Sequence, residues 1–196
     1  MKILITGGLG YIGMELSRLY SGKSRLYEIT VIDKNFYSGR ISQLKKWGIN
    51  YIQGDILDDD LMKDCLKDID IVFHLAGITN VGTTIDDVNK KRDNEIKKVG
   101  VGGTKNIIKY SESRVKIIFP STHVVHEGLK NIKKEIDESF KPLPVLEYSK
   151  GKYSSEKDII NSKKNYVILR LGSVYGNNGV PTRINIMPNL FTKITA

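Results

Sequence analysis

The sequence predicts an α/β protein built on a doubly wound parallel sheet with helices on both faces. Two observations predict it. Short, β-branched apolar runs alternate with longer amphipathic stretches along the whole chain. The runs are almost continuously apolar, as strands buried on both faces must be.

The first strand is KILIT (2–6), and TGGLGYIG (6–13) leads from it into a helix over 11–21. EITVI (28–32) and INYI (49–52) are the second and third strands, with no helix assigned between them. A helix over 58–67 precedes the fourth strand, DIVFHL (70–75). One long helix is expected over 86–111, then a fifth strand, VKIIF (115–119). The segment 123–146 has little periodicity and holds Pro142 and Pro144, so it reads as a long loop of the kind that often carries function. A helix over 147–162, a sixth strand YVILR (166–170) and a helix over 184–194 complete the chain. Right-handed crossovers turn this alternation into a Rossmann-type arrangement.

Composition narrows the function. The chain has 196 residues, 40% apolar and 27% charged, which suits one domain over 1–196 with a buried core. Cys65 is the one cysteine, so no disulfide framework exists, and with three scattered histidines it gives no metal-ligand spacing. No apolar run approaches the roughly 18 residues of a membrane span. A strand beginning at Lys2 leaves no room for a signal peptide, so a cytoplasmic location is expected. The net charge of +9 comes mostly from lysine, 24 of 31 basic residues. These lysines are interspersed with acids, as in DDDLMKDCLKD (58–68), and form no compact basic stripe. Nucleic acid is therefore not an expected partner, whereas small anionic ligands suit the charge.

The glycine turn is the first chemical signal. Gly7, Gly10 and Gly13 are spaced G-x-x-G-x-x-G, with Tyr11 and Ile12 at the start of the helix. Without side chains the turn can be tight, and its backbone can approach a pyrophosphate at the positive helix end. Asp33 follows Gly13 by 20 residues, at the end of the second strand in VIDKN (31–35). A carboxylate there accepts from an adenosine ribose and favours NAD over NADP; Lys34, Asn35 and Arg40 lie beside it. In GDILD (54–58), Asp55 and Ile56 follow the third strand, where Asp55 could bind the adenine amino group or cap a helix.

The pattern Tyr-x-x-x-Lys occurs twice in LEYSKGKYSSEK (146–157), as Tyr148/Lys152 and Tyr153/Lys157. At about 100° per residue, Tyr148, Lys152, Ser155 and Ile159 fall in one stripe roughly 60° wide. Ile159 should face the sheet, so this stripe points inward. Lys157 falls on the opposite side and should meet water.

With these motifs, and with HLAG (74–77), FPSTHVV (119–125), YSKGKYSSE (148–156) and LRLGSVYG (169–176), the chain resembles the extended short-chain dehydrogenase/reductases. The resemblance is to the NAD-dependent epimerase/dehydratase family acting on nucleotide sugars. It implies NAD as cofactor, with Leu75, Ala76, Gly77 and Thr79 along its ribose and nicotinamide. It also implies Thr122 as the group that orients the substrate hydroxyl, and Tyr148 and Lys152 as the catalytic pair. Glu156 takes the place of a glutamate expected eight residues after the tyrosine. Tyr148 would remove a proton from a sugar hydroxyl, its pKa lowered by Lys152, while the carbon gives a hydride to NAD.

Several positions depart from the family. Gly100 replaces an asparagine, Ser173 replaces another, and His126 replaces a tyrosine. His123 and Val124 stand where sugar dehydratases carry acids, so an epimerase or ketoreductase is expected. The resemblance also places a substrate-binding lobe after residue 196, so the chain reads as the cofactor-binding part of a longer enzyme. The competing reading is a non-catalytic dinucleotide-binding module. Relatives often pair through the two helices expected here at 86–111 and 147–162, which makes a homodimer the expected assembly.

Overall fold

The computed structural model describes residues 1–23, 25–79, 89–130 and 135–176. Its strands are β1 (Lys2–Thr6), β2 (Glu28–Asp33), β3 (Asn50–Gln53), β4 (Ile71–His74), β5 (Lys116–Thr122) and β6 (Asn165–Leu171). They form one parallel sheet in the order β3-β2-β1-β4-β5-β6. The order reverses between β1 and β4. Open α/β sheets bind ligands in the crevice beyond the carboxyl ends of such a pair.

The helices are α1 (Tyr11–Tyr20), α2 (Ser38–Lys46), α3 (Asp59–Cys65), α4 (Lys90–Lys97), α5 (Gly103–Tyr110) and α6 (Glu147–Asn161). Side-chain alternation along the strands divides the core into two layers. Ile3 and Ile5 of β1 pack with Met14 of α1 and with Ile41 and Leu44 of α2. Leu4, between them, packs on the other face with Met62 of α3, Ile107 of α5 and Ile159 of α6. Each fully buried Ile or Leu contributes about 1.5–3 kcal/mol. The same alternation sends Thr6, His74 and Ser121 to the α5/α6 side.

Helix α2 was not expected. Its sequence, SGRISQLKK, has only Ile41 and Leu44 as buried residues and no acid in its first turn, too little for a periodic signal. The single helix expected over 86–111 is instead α4, a π turn (Lys98–Gly102) and α5; residues 86–88 lie outside the described residues. Glycines 100, 102 and 103 lie in or beside the π turn, and Gly102 and Gly103 keep ordinary right-handed helical dihedrals. At Gly103 a Cβ would collide with the Ile56 side chain. Asp58, not Asp55, caps α3, its side chain accepting from Leu61 N.

The segment 123–146 begins with a 3-10 turn, His123–His126. Its neck is closed by Leu143 N donating to Val125 O at 2.9 Å and Gly128 N donating to Leu143 O at 2.9 Å. A Cβ on Gly128 would lie 2.6 Å from Leu143 O, so this closure needs glycine. Residues 131–134 and the helix expected over 184–194 lie outside the described residues.

Candidate active site

The glycine turn sits at the reversal point. Gly7 has φ +65°, and a Cβ there would lie 2.7 Å from the Ala76 backbone, so only glycine lets the ends of β1 and β4 approach this closely. A Cβ on Gly13 would strike the Gly8 backbone, so Gly13 lets α1 pack onto the turn. Gly10, exposed, is the N-cap of α1, which has no side-chain cap and no acid in its first turn. The N–H groups of Tyr11, Ile12 and Gly13 have no intrahelical acceptor and face the crevice end of the helix. Such donors, beside a turn too tight for side chains, fit a pyrophosphate.

Asp33 is buried at the end of β2 and has a second task there. Its Oδ2 accepts from Leu9 N at 3.0 Å, which ties the glycine turn to β2. Its Oδ1 accepts from Asn35 N at 2.9 Å and Asn35 Nδ2 at 3.2 Å. Arg40, stacked over the Tyr37 ring at 4.4 Å, donates to Leu9 O at 2.5 Å and braces the same turn. Lys34 Nζ pairs with Asp55 Oδ2 at 2.9 Å, and Asp55 Oδ1 accepts from Leu57 N at 3.0 Å. Burial pushes the Asp55 carboxyl up, but the Leu57 N–H and Lys34 outweigh it and hold it below its usual value. The Ile56 side chain lies in the core and its carbonyl accepts from Asn106 Nδ2 at 3.0 Å.

On the other side of the reversal point lies an open cleft of roughly 430 Å³ of empty space. Leu75, Ala76, Gly77 and Thr79 form one wall; Tyr148, Lys152 and Ser155 of α6 form another. Lys152 Nζ donates to Pro120 O at 2.8 Å and lies 4.5 Å from the Phe119 ring centre. Burial pushes Lys152 down to about 8, opposed by the charge of Glu156. Ser155 and Ile159 are buried and Lys157 is exposed, with its ammonium over the Tyr153 ring at 4.9 Å. The first Tyr/Lys register therefore faces the cleft and the second faces outward. Gly100 also lines the cleft, and a Cβ there would meet open space.

Two buried polar systems support this wall, and neither was singled out as a unit from sequence. His74 lies between Thr6 Oγ1 at 2.9 Å and Thr104 Oγ1 at 3.1 Å. Thr104 spends its own proton on a carbonyl, so it accepts from His74 Nε2–H; Nδ1 then accepts from the Thr6 hydroxyl, whose oxygen also accepts from Ala76 N at 3.2 Å. Thr104 in turn donates to Gly100 O at 2.8 Å. The chain of bonds thus runs from the Ala76 amide to the π turn. Burial pushes His74 down to about 3, with the Lys152 charge adding to the shift. The second system is Glu156, which is buried and pairs with Arg170 at 2.8 Å and 3.2 Å and accepts from Ser121 Oγ.

Thr122 ends β5, nearly buried, and its Oγ1 accepts from Val124 N at 3.3 Å. It is not among the residues lining the cleft. Exposed His123 follows, its Nδ1–H donating to Leu171 O at 3.1 Å. At the far end, Tyr11 Oη donates to Tyr175 O at 3.4 Å, which brings the end of LRLGSVYG over the start of α1. Among the described residues no cluster of His, Cys, Asp or Glu could hold a metal ion, and no helix is long and apolar enough to cross a membrane.

A glycine turn, a buried acid at the end of β2 and an inward Tyr/Lys pair on this sheet order agree with an extended short-chain dehydrogenase/reductase. Within that class the chain belongs to the 3-beta hydroxysteroid dehydrogenase/isomerase family, whose sequence pattern matches residues 4–180. It is 31% identical over 195 residues to the dTDP-D-glucose 4,6-dehydratase of Homo sapiens, covering 93% of this chain and 54% of that protein. It is 35% identical over 104 residues to the 3 beta-hydroxysteroid dehydrogenase/Delta 5-->4-isomerase of Monkeypox virus, covering 53% of this chain and 28% of that one. The fold superposes on the UDP-glucuronic acid 4-epimerase of Bacillus cereus, solved with UDP-glucuronic acid and NAD. That match has a TM-score of 0.79 and 28% identity, and covers 96% of this chain and 61% of the epimerase. The chain spans about half the length of the dehydratases it matches.

Proposed function

We propose that this chain is the cofactor-binding part of an NAD-dependent oxidoreductase acting on a nucleotide-activated sugar. One observation carries the reading: a single cleft at the reversal point joins Tyr148 and Lys152 to the wall made by Leu75, Ala76, Gly77 and Thr79. The glycine turn and the first amides of α1 would hold the pyrophosphate, Asp33 the adenosine ribose, and Asp55 with Ile56 the adenine. Lys34 and Asn35 flank that end. NAD would supply a hydride acceptor for the carbon bearing the substrate hydroxyl. Tyr148 takes the hydroxyl proton, and the Lys152 cation on the next turn favours the phenolate that does so. Thr122 orients the hydroxyl. Epimerisation or ketone reduction suits the site better than dehydration, because His123 and Val124 carry no acid and His123 Nδ1–H is held by Leu171 O. A second reading, an apolar secondary alcohol such as a hydroxysteroid, draws on the family match and on Ile78, Ile96 and Phe119 in the cleft wall. Self-association through α6 and the helical segment of 86–111, here α4, the π turn and α5, belongs to the first reading.

The test is calorimetric titration with NAD and NADP, for the chain and for Asp33→Ala. NAD should bind in preference to NADP, and the substitution should weaken it roughly tenfold or more, the loss of a hydrogen bond to a charged group. Circular dichroism checks that the variant is folded, since Asp33 also holds Leu9. A folded chain that binds neither dinucleotide would end the oxidoreductase reading.

A further inference from the structure

We propose that Glu127 is a positioning residue for Tyr148: its carboxylate sets where α6 begins relative to the turn that Thr122 caps. The proposal rests on the reading of Tyr148 as the base.

Tyr148 is the second residue of α6, in the turn where helices fray most readily. First-turn amides have no intrahelical acceptor, and a polar N-cap side chain normally serves them. Here the N-cap is Leu146, which has no such group. Glu127, 19 residues upstream, instead holds the two amides just before the helix and a first-turn side chain. Its Oε1 accepts from Val145 N at 2.8 Å, from Leu146 N at 2.6 Å, and from Ser149 Oγ. Ser149 is fully buried. One carboxylate oxygen therefore grips the chain on both sides of Tyr148, with its negative charge at the favourable end of the helix.

The other end of Glu127 is equally fixed. It terminates the 3-10 turn, its N–H donating to Val124 O at 3.1 Å. Thr122 caps the start of that turn. The adjacent neck, Gly128 with Leu143, stops the turn from drifting away from α6. Thr122 and Tyr148, 26 residues apart in sequence, are thus linked by one short rigid path through Glu127. Two groups that must meet one hydroxyl at about 2.6–3.2 Å need such a path, because a misplacement of about 1 Å can cost roughly a hundredfold in rate.

The experiment compares the chain with Glu127→Ala and Glu127→Gln, each with and without Tyr148→Phe. Amide hydrogen exchange reads the first turn of α6. The phenolate absorbance lost on Tyr148→Phe, followed against pH, reads Tyr148 itself. Glutamine keeps an acceptor oxygen and drops the charge. In Glu127→Ala, exchange at Val145, Leu146 and Lys150 should accelerate, and Tyr148 should titrate higher, toward the ordinary value of about 10, as it moves away from Lys152. Glu127→Gln should keep exchange close to the parent and move the Tyr148 titration downward if at all, never upward. The direction separates position from charge: loss of a nearby negative charge alone would lower the Tyr148 titration, not raise it. Unchanged exchange in Glu127→Ala overturns the clamp. Faster exchange with no upward move of Tyr148 makes the contact structural only and overturns the positioning role. A parent Tyr148 that titrates at the ordinary value sinks the reading of the site itself, and the positioning role with it; this failure shows in the parent, before any change at Glu127.

Discussion

His74 is enclosed between Thr6 and Thr104, and burial, helped by the Lys152 charge, holds it neutral. In the unfolded chain it would take a proton near 6.5; in the folded chain burial pushes it down to about 3. Below 6.5 the unfolded state therefore binds a proton that the folded state refuses. The stability this represents is complete above 6.5 and is lost as pH falls toward 3. Urea unfolding measured from pH 7 to pH 4 should show stability declining from about pH 6, before most carboxylates titrate. His126 is also pushed down, by burial and then by Arg170, and adds to the same window. The difference between the chain and His74→Gln isolates the His74 share, at most about 1.4 kcal/mol per pH unit. Identical slopes in the two proteins would show that His74 is not buried as described. At this scale sequence reading reached Tyr148 and Lys152 because their spacing is itself a pattern. It passed over His74 because a histidine in a strand carries none, and its partners lie 68 and 30 residues away.

Three elements, β5, β6 and α6, are locked by Ser121, Arg170 and Glu156. Glu156 is 1% exposed and Arg170 21% exposed, so breaking the pair leaves a mostly desolvated charge. Glu156→Ala should cost about 3–5 kcal/mol, measured by urea unfolding. Adding Arg170→Met should recover part of this, because the stranded guanidinium is then gone. A double variant no more stable than the single one would mean that Arg170 finds other partners. Elements were legible where one local signal sufficed: continuous apolar runs marked all six strands, and the inward stripe ending at Ile159 marked α6. They were illegible where the signal was tertiary. Helix α2 rests on two buried side chains, and the close seat of Ile56 against Gly103 beside the α4–α5 break joins residues 47 apart in sequence. Glu127 shows the same limit, since it caps a helix that begins 20 residues after it.

The doubly wound arrangement follows from the strand–helix alternation together with right-handed crossovers; the order β3-β2-β1-β4-β5-β6 does not, since other doubly wound orders obey the same rules. How two copies would meet is a separate matter, decided by surface charge. Lys90, Lys91 and Lys97 of α4 and Lys150 and Lys157 of α6 are exposed, against Glu95 of α4 and Glu147 of α6, the latter paired with Lys150. Pairing through these helices would bring like charges together. Association should therefore strengthen with added salt, the reverse of an interface built on ion pairs. Sedimentation at low and high ionic strength reads this, and a monomer at micromolar concentration in both would remove the dimer. The neck at Val125, Gly128 and Leu143 has a different consequence, for how such a chain can change over evolutionary time. Main-chain bonds close the base of the excursion 129–142, and closure entropy grows only slowly with length. Insertions or deletions within the excursion can accumulate while the spacing of Thr122 and Tyr148 stays fixed, which leaves that stretch open to lineage-specific remodelling.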